Sequence, residues 1–149
     1  MVLKTRDKLI EVARQLFAQK GEENTTMNDI AVASEKGRRT VYTYFKNKKE
    51  ILNAVVKAES DKIVEKLIDI PRQPLPPEQK LINFIFIRFE IIKELVYRNG
   101  SLRAGFFRDI RKVDRARRAT ISKEATILKQ ILSEGVEKVV FRVRHIDET

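Results

Sequence analysis

Apolar residues recur at the three-and-four spacing of a helix along nearly the whole chain. Leu9, Ile10, Ala13, Leu16 and Phe17 share one face, and Gly21 after "FAQK" reads as the stop of that helix. Thr26 precedes "MNDIAVAS", with Asp29 three residues on. This is the pattern of a capping box, and the helix dipole favours the carboxylate there. Ile30, Ala31 and Ala33 are small enough for a short helix packed closely on its neighbour. A turn, "SEKG", leads to a second short helix from Arg38 to Tyr44, with Gly37 as its N-cap. Val41 and Phe45 are four apart and are expected to point inward.

"KNKKE" ends that segment and opens a longer helix, with Leu52, Val55, Val56, Ile63 and Leu67 along one side. All four prolines, Pro71, Pro74, Pro76 and Pro77, fall in "IPRQPLPPEQ". Proline fixes φ and lacks an amide donor, so this is a stiff loop, and Pro77 suits the first turn of the next helix. Residues 78–98 are apolar over a wide arc, which predicts a central helix buried on more than one side. "RNGS" ends it. A basic, broken helical stretch is expected from Leu102 to about Val113. Ile121, Ala125, Leu128 and Leu132 mark a last helix, with Gly135 near its end. The tail "VVFRVRHIDET" alternates weakly and reads as extended or loop. The fold class is all-α: three short helices, then longer ones.

The chain has 149 residues, 42% apolar and 35% charged, which is a globular composition. The formal net charge is +10, suited to an anionic partner such as DNA, RNA or a membrane surface. There is no Cys, so disulfides, thiolate metal sites and Cys nucleophiles are excluded. The start lacks the apolar core of a signal peptide, and no uncharged apolar stretch reaches the ~18 residues of a membrane span. A cytoplasmic protein with no membrane association is expected. The one His, His145, lies in the tail, and no Ser-His-acid set, metal-ligand spacing or phosphate-cradling glycine loop occurs. No catalytic residue, metal or cofactor is therefore assigned, and an enzyme is not expected.

Charge matters most in "KGRRTVYTYFKNKKE", residues 36–50, where Lys and Arg interleave with Tyr42, Tyr44 and Phe45. A solvated helix face is the plain reading of such a strip. Two short helices across a tight turn, the second basic and aromatic, instead fit a helix-turn-helix. A recognition helix needs side chains that reach base edges and flanks that reach phosphates. Arg38 and Arg39 can read a guanine with two hydrogen bonds or clamp a phosphate. Thr40 can touch a thymine methyl or a phosphate, Tyr42 and Tyr44 carry hydroxyls suited to phosphate oxygens, and Lys48 starts the following helix beside its free amides.

"TRDKLIEVARQLFAQKG", "TTMNDIAVAS" and "RRTVYTYFKNKKEIL", in this order and spacing, resemble the N-terminal DNA-binding domain of the TetR family of transcriptional regulators. The resemblance covers about residues 5–56. Its core is carried by Thr40, Val41, Tyr42, Tyr44, Phe45 and Lys48. It implies base contacts from Arg38, Arg39, Thr40 and Thr43, and phosphate contacts from Thr25, Thr26, Tyr42, Tyr44 and Lys48. It also implies a DNA-binding domain over residues 1–49 and a helical ligand-binding and dimerisation domain over 50–149, the last two helices of the family lying beyond it. The chain departs from the family pattern in three places. Glu35 and Lys36 stand where the turn usually has Gly and a small apolar residue, Arg38-Arg39 replaces a frequent Lys-Gly, and Val139-Val140 lies where a Gly is common.

The resemblance further implies a homodimeric repressor on a double-stranded DNA operator, released by an apolar or amphipathic small-molecule effector. Phe84, Phe86, Phe89, Phe106 and Phe107 are candidates for the pocket wall, with core packing as the competing reading. The basic run 103–119 reads as an exposed surface or as a counter-charge to an acidic ligand or partner. The alternative function is a helical adaptor or lipid-binding module whose basic surface meets membranes or acidic proteins. Sequence-selective binding to duplex DNA separates the two.

Overall fold

A computed structural model describes residues 4–100 and 114–142. These residues are helical throughout: α1 (Thr5–Lys20), α2 (Met27–Ala33), α3 (Arg38–Tyr44), α4 (Lys48–Leu67), a 3₁₀ turn (Ile70–Arg72), α5 (Pro77–Arg98) and α6 (Asp114–Glu137). The basic stretch after "RNGS", with Phe106 and Phe107, and the end of the tail lie outside the described residues.

The first core forms where α1, α2 and α3 close on α4. Leu9, Ala13 and Phe17 from α1, Ile30 from α2 and Val41 from α3 are fully buried there. Phe45, just past α3, is 3% exposed and carries the Arg6 guanidinium over its ring at 5.3 Å. Residue chemistry fixes the helix ends. The Gly21 amide donates to the Phe17 carbonyl with φ at +82°, a conformation that suits glycine. Thr26 and Asp29 form the complete capping box: Thr26 Oγ1 accepts from the Asp29 amide at 3.0 Å, and Asp29 Oδ2 accepts from the Thr26 amide at 2.9 Å. Asn47 caps α4 by accepting from the Glu50 amide at 3.0 Å.

The turn between α2 and α3 resolves the departure from the family pattern. The Lys36 amide donates to Ala31 O and the Glu35 amide to Val32 O, the paired bonds of a Schellman motif. Glu35 is the left-handed residue of that motif, with φ at +56°. The turn geometry is therefore kept without glycine, at the steric cost of a Cβ in the left-handed region. The same arrangement ends α6. Val139 has φ at +59°, and the Val140 and Val139 amides donate to Gly135 O and Val136 O. Gly135 has a separate reason to be glycine. A Cβ there would stand 2.0 Å from the Phe141 ring, which folds back onto the helix.

The second core joins α4, the 3₁₀ turn, α5 and α6 through Leu67, Ile70, Phe84, Ile127 and Ile131. Pro77 opens α5 as its first residue. Buried Lys80 fastens the proline loop to α6, since its Nζ donates to Pro71 O and to Glu134 Oε2, both at 2.7 Å. Two expectations change here. On α5, Phe84 and Ile91 are buried, but Ile82, Ile85, Phe86 and Phe89 are 46–66% exposed, so the helix is packed on one side only. On α6 Thr120, Glu124, Ile127, Ile131 and Leu132 are buried and Leu128 is half-buried against the second core, while Ile121 and Ala125 are exposed. The apolar pattern thus places Leu128 and Leu132 correctly and Ile121 and Ala125 wrongly, and it misses Glu124, which is buried in a 2.6 Å ion pair with Arg88 on α5.

Glu35→Gly is expected to stabilise the chain by about 0.5–1 kcal/mol, because relief of the left-handed Cβ outweighs the added freedom of the unfolded chain. Urea denaturation of parent and variant checks this through the midpoint at unchanged slope.

Candidate nucleic-acid interface and cavity

Helix α3 has seven residues and one anchored side. Val41 and Phe45 hold it on the first core. The remaining side chains then stand outward in a fixed order: Arg38 and Arg39 at the first turn, Thr43 on the same open side, and Tyr42 and Tyr44 at 45% and 43% exposure. Thr40 is half-buried. Thr43 Oγ1 donates to Arg39 O at 2.9 Å, which leaves its oxygen lone pairs and methyl facing solvent. Large aromatic side chains exposed beside arginines suit an anionic partner surface better than an ordinary solvated face.

The expected phosphate contacts are placed unequally. Thr26 is exposed and caps α2. Thr25 is 1% exposed, with Oγ1 donating to Gly21 O at 2.8 Å and its amide to Glu22 O. Its hydroxyl thus closes the α1–α2 loop and is turned away from solvent. Lys48 lies at the first residue of α4 and reaches the same loop, with Nζ donating to Glu22 O at 2.9 Å and standing 3.9 Å from Glu22 Oε1. Arg38, Arg39, Tyr42 and Tyr44 are exposed along α3, Thr26 is exposed at the start of α2, and Lys48 stands at the start of α4 with its ammonium on the α1–α2 loop.

A second feature lies away from these residues. Helices α4, α5 and α6 border a half-open cavity of about 320 Å³. Val56, Ile63, Ile92, Leu95, Val96 and Ile121 make it mostly aliphatic, and Glu59, Arg88, Asn99, Thr120 and Glu124 add polar groups. Of the phenylalanines expected to line a pocket, Phe106 and Phe107 lie outside the described residues, and the other three do not line this cavity. Phe84 sits in the second core, and Phe86 and Phe89 are exposed on α5. Pattern reading missed the wall because its residues come from three helices and range from buried Val56 to exposed Ile121. Among the described residues no group of three His, Asp or Glu side chains is placed to hold a metal ion, and no helix is long and apolar enough to cross a membrane.

Comparison with known proteins bears on both features. The model of the bacterial regulatory proteins, tetR family, matches residues 9–55. A protein of Escherichia coli K12 named probable acrEF/envCD operon repressor is 49% identical over 51 residues, 34% of this chain and 23% of that protein. The HTH-type transcriptional regulator YhgD of Bacillus subtilis 168 is 32% identical over 89 residues, 59% of this chain and 47% of its own. The chain thus spans less than half the length of either relative. The crystal structure of the TetR family transcriptional regulator PfmR from Thermus thermophilus superposes with a TM-score of 0.69 at 28% identity. It covers 97% of this chain and 78% of PfmR.

The capping carboxylate makes the start of α2 acid-sensitive. Asp29 is held at about 2, below its ordinary 3.8, by the Thr26 amide and then by Lys20, whose Nζ lies 2.9 Å away. A depressed carboxylate stabilises the fold above the unfolded value of 3.8 and ceases to do so as pH falls through about 2. The thermal midpoint is expected to drop across that window, and Asp29→Asn is expected to flatten the drop. Circular dichroism melts at stepped pH measure it.

Proposed function

Because its N-terminal domain is that of the TetR family, we propose that this chain is a DNA-binding transcriptional repressor that lays α3 in the major groove of an operator. The observation that carries the reading is α3 itself. Two buried side chains fix it on the core, and two arginines and two tyrosines stand free of that core at the outer surface. Arg38, Arg39, Thr40 and Thr43 are assigned to base edges, and Thr26, Tyr42, Tyr44 and Lys48 to phosphates. The aliphatic cavity supports an apolar or amphipathic small-molecule effector that lowers operator affinity by displacing α4 against its neighbours. The domain boundary proposed near residues 49–50 falls at the first turn of α4.

The protein acts as a homodimer in this reading, one recognition helix per half-site, with half-sites about 34 Å apart or a multiple of that. The uncovered arc of α5, with Ile85, Phe86 and Phe89 each more than half exposed, is the surface offered to the second copy. A membrane-facing adaptor is the competing function. It predicts binding to anionic vesicles without sequence preference in duplex DNA. Selection of bound sequences from random duplex DNA tests the reading: a palindromic consensus is expected, and recovery of unselected sequence would overturn it.

Contacts of the two kinds are expected to separate on the selected operator. Lys48→Ala weakens binding to all duplexes alike and lowers the salt slope by about one unit. Arg39→Ala costs roughly 1–3 kcal/mol and relaxes the consensus at one position. Thr25→Val leaves the salt slope unchanged, because that hydroxyl is turned inward onto Gly21 O. Fluorescence anisotropy at stepped salt reads all three.

A further inference from the structure

The cavity and the DNA-binding head share a buried polar cluster. Arg14 on α1 is 8% exposed, Glu59 on α4 is 8% and Asn99 just past α5 is 7%. Asn99 bonds both of the others: its Oδ1 accepts from Arg14 Nη1 at 3.2 Å, and its Nδ2 donates to Glu59 Oε2 at 2.9 Å. Arg14 is steadied by Glu11 on its own helix, at 2.8 and 3.0 Å, and lies 3.9 Å from Glu59. Arg98 reaches Glu59 at 3.3 Å and Glu11 at 3.5 Å from a more exposed position. Glu59 and Asn99 also line the cavity, whereas Arg14 does not.

Resting on the regulator reading above, we infer that Asn99 and Glu59 form a latch, through which a ligand entering the cavity releases Arg14 and with it the seat of α1. Asn99 has one carbonyl and one amide. A ligand polar group that takes either atom, or that takes Glu59, competes with a bond already in place. The Arg14–Asn99 bond is buried and charge-assisted, so its loss is costly and opposes ligand entry. The coupling is reciprocal: what the ligand does to the head, a change at the head does to the ligand. The ligand class that fits is a compact molecule with an aliphatic or aromatic body and a polar group at the Asn99 end. Lys62 serves as the internal control. Its Nζ pairs with Glu59 at 2.9 Å from the same helix, so it touches the cluster without linking it to the head.

The experiment uses the whole chain without DNA and titrates 1-anilinonaphthalene-8-sulfonate, an apolar fluorophore with one polar group. The signal lost in Ile92→Trp, which fills the cavity, defines cavity binding. Arg14→Met is expected to tighten cavity binding by about ten-fold, the factor that a lost charge-assisted hydrogen bond corresponds to. Arg14→Lys, which keeps the charge and loses the fork, is expected to tighten it in the same direction, and it preserves the test if Arg14→Met does not fold. Lys62→Met is expected to stay within about two-fold of the parent. Equal affinities in parent and Arg14 variants overturn the latch, as does the absence of cavity binding in all of them. Operator binding with saturating fluorophore keeps the two readings apart. Release from the operator with an unmoved Arg14→Lys affinity sinks the latch and leaves the repressor standing. Tightened cavity binding in a chain that selects no duplex sinks the repressor and leaves the latch.

Discussion

Helix α4 gives Ile51, Leu52, Val55 and Val56 to the first core and Ile63, Val64 and Leu67 to the second, within one continuous run of backbone hydrogen bonds. A helix is stiff along its axis and cannot bend sharply without a proline, a paired small residue or an inserted group. The run from Lys48 to Leu67 contains neither Gly nor Pro. A tilt forced on its cavity end must therefore appear at its Lys48 end. The α3 helix follows, because Val41 and Phe45 are packed on the same core as the first turns of α4. Shared burial thus couples a cavity wall to a recognition helix without any jointed element.

The polar cluster at Glu59 sets how freely α4 can tilt. Two acids and three cations meet there, Glu11 and Glu59 with Arg14, Lys62 and Arg98. Hydrogen bonding to Arg14 lowers the Glu11 carboxyl and in return raises the Arg14 guanidinium. The cluster holds by mutual satisfaction, and removing Arg14 or Asn99 strands the groups they bridge, whereas Lys62 only flanks Glu59 from the same helix. An apolar contact at the same place would allow sliding. A satisfied polar one has a single good register, which is the property a two-position device requires.

Much of the head was legible in the sequence because local chemistry decides it. The capping box at Thr26 and Asp29, the span Arg38–Tyr44, the stop at Gly21 and Pro77 at the start of α5 each depend on neighbours within four residues. What was not legible depends on distant partners. Glu124 reads as a surface acid until Arg88, 36 residues away, is brought beside it, and the α6 face then rotates away from Ile121. Thr25 and Thr26 are adjacent hydroxyls with the same hydrogen-bonding capacity, yet the loop turns one onto Gly21 O and leaves the other at the helix cap. The cavity wall was illegible for the same reason, being assembled from aliphatic side chains of unequal burial on three helices. The α5 arc shows the limit of periodicity: a wide apolar arc states how much surface seeks cover, not what covers it.

Lys48 links these observations at the DNA end. In the free chain its ammonium is occupied by Glu22 O, so the α1–α2 loop and the start of α4 are tied before any phosphate arrives. A backbone carbonyl holds an ammonium less strongly than a phosphate does, because only the phosphate carries a full charge. In the proposed phosphate contact this exchange is local and needs no opening of the core, and the Lys48 end of α4 is the end that would sense DNA. The ammonium proposed to meet a phosphate and the carboxylate that meets Arg14 stand on one rigid helix, eleven residues apart, roughly 16 Å at the helical rise of 1.5 Å per residue. Over that span a tilt of a few degrees shifts Lys48 by about an ångström, comparable to the margin within which a charge-assisted hydrogen bond keeps its strength. On the proposed reading, this is how a cavity away from the DNA would change operator affinity.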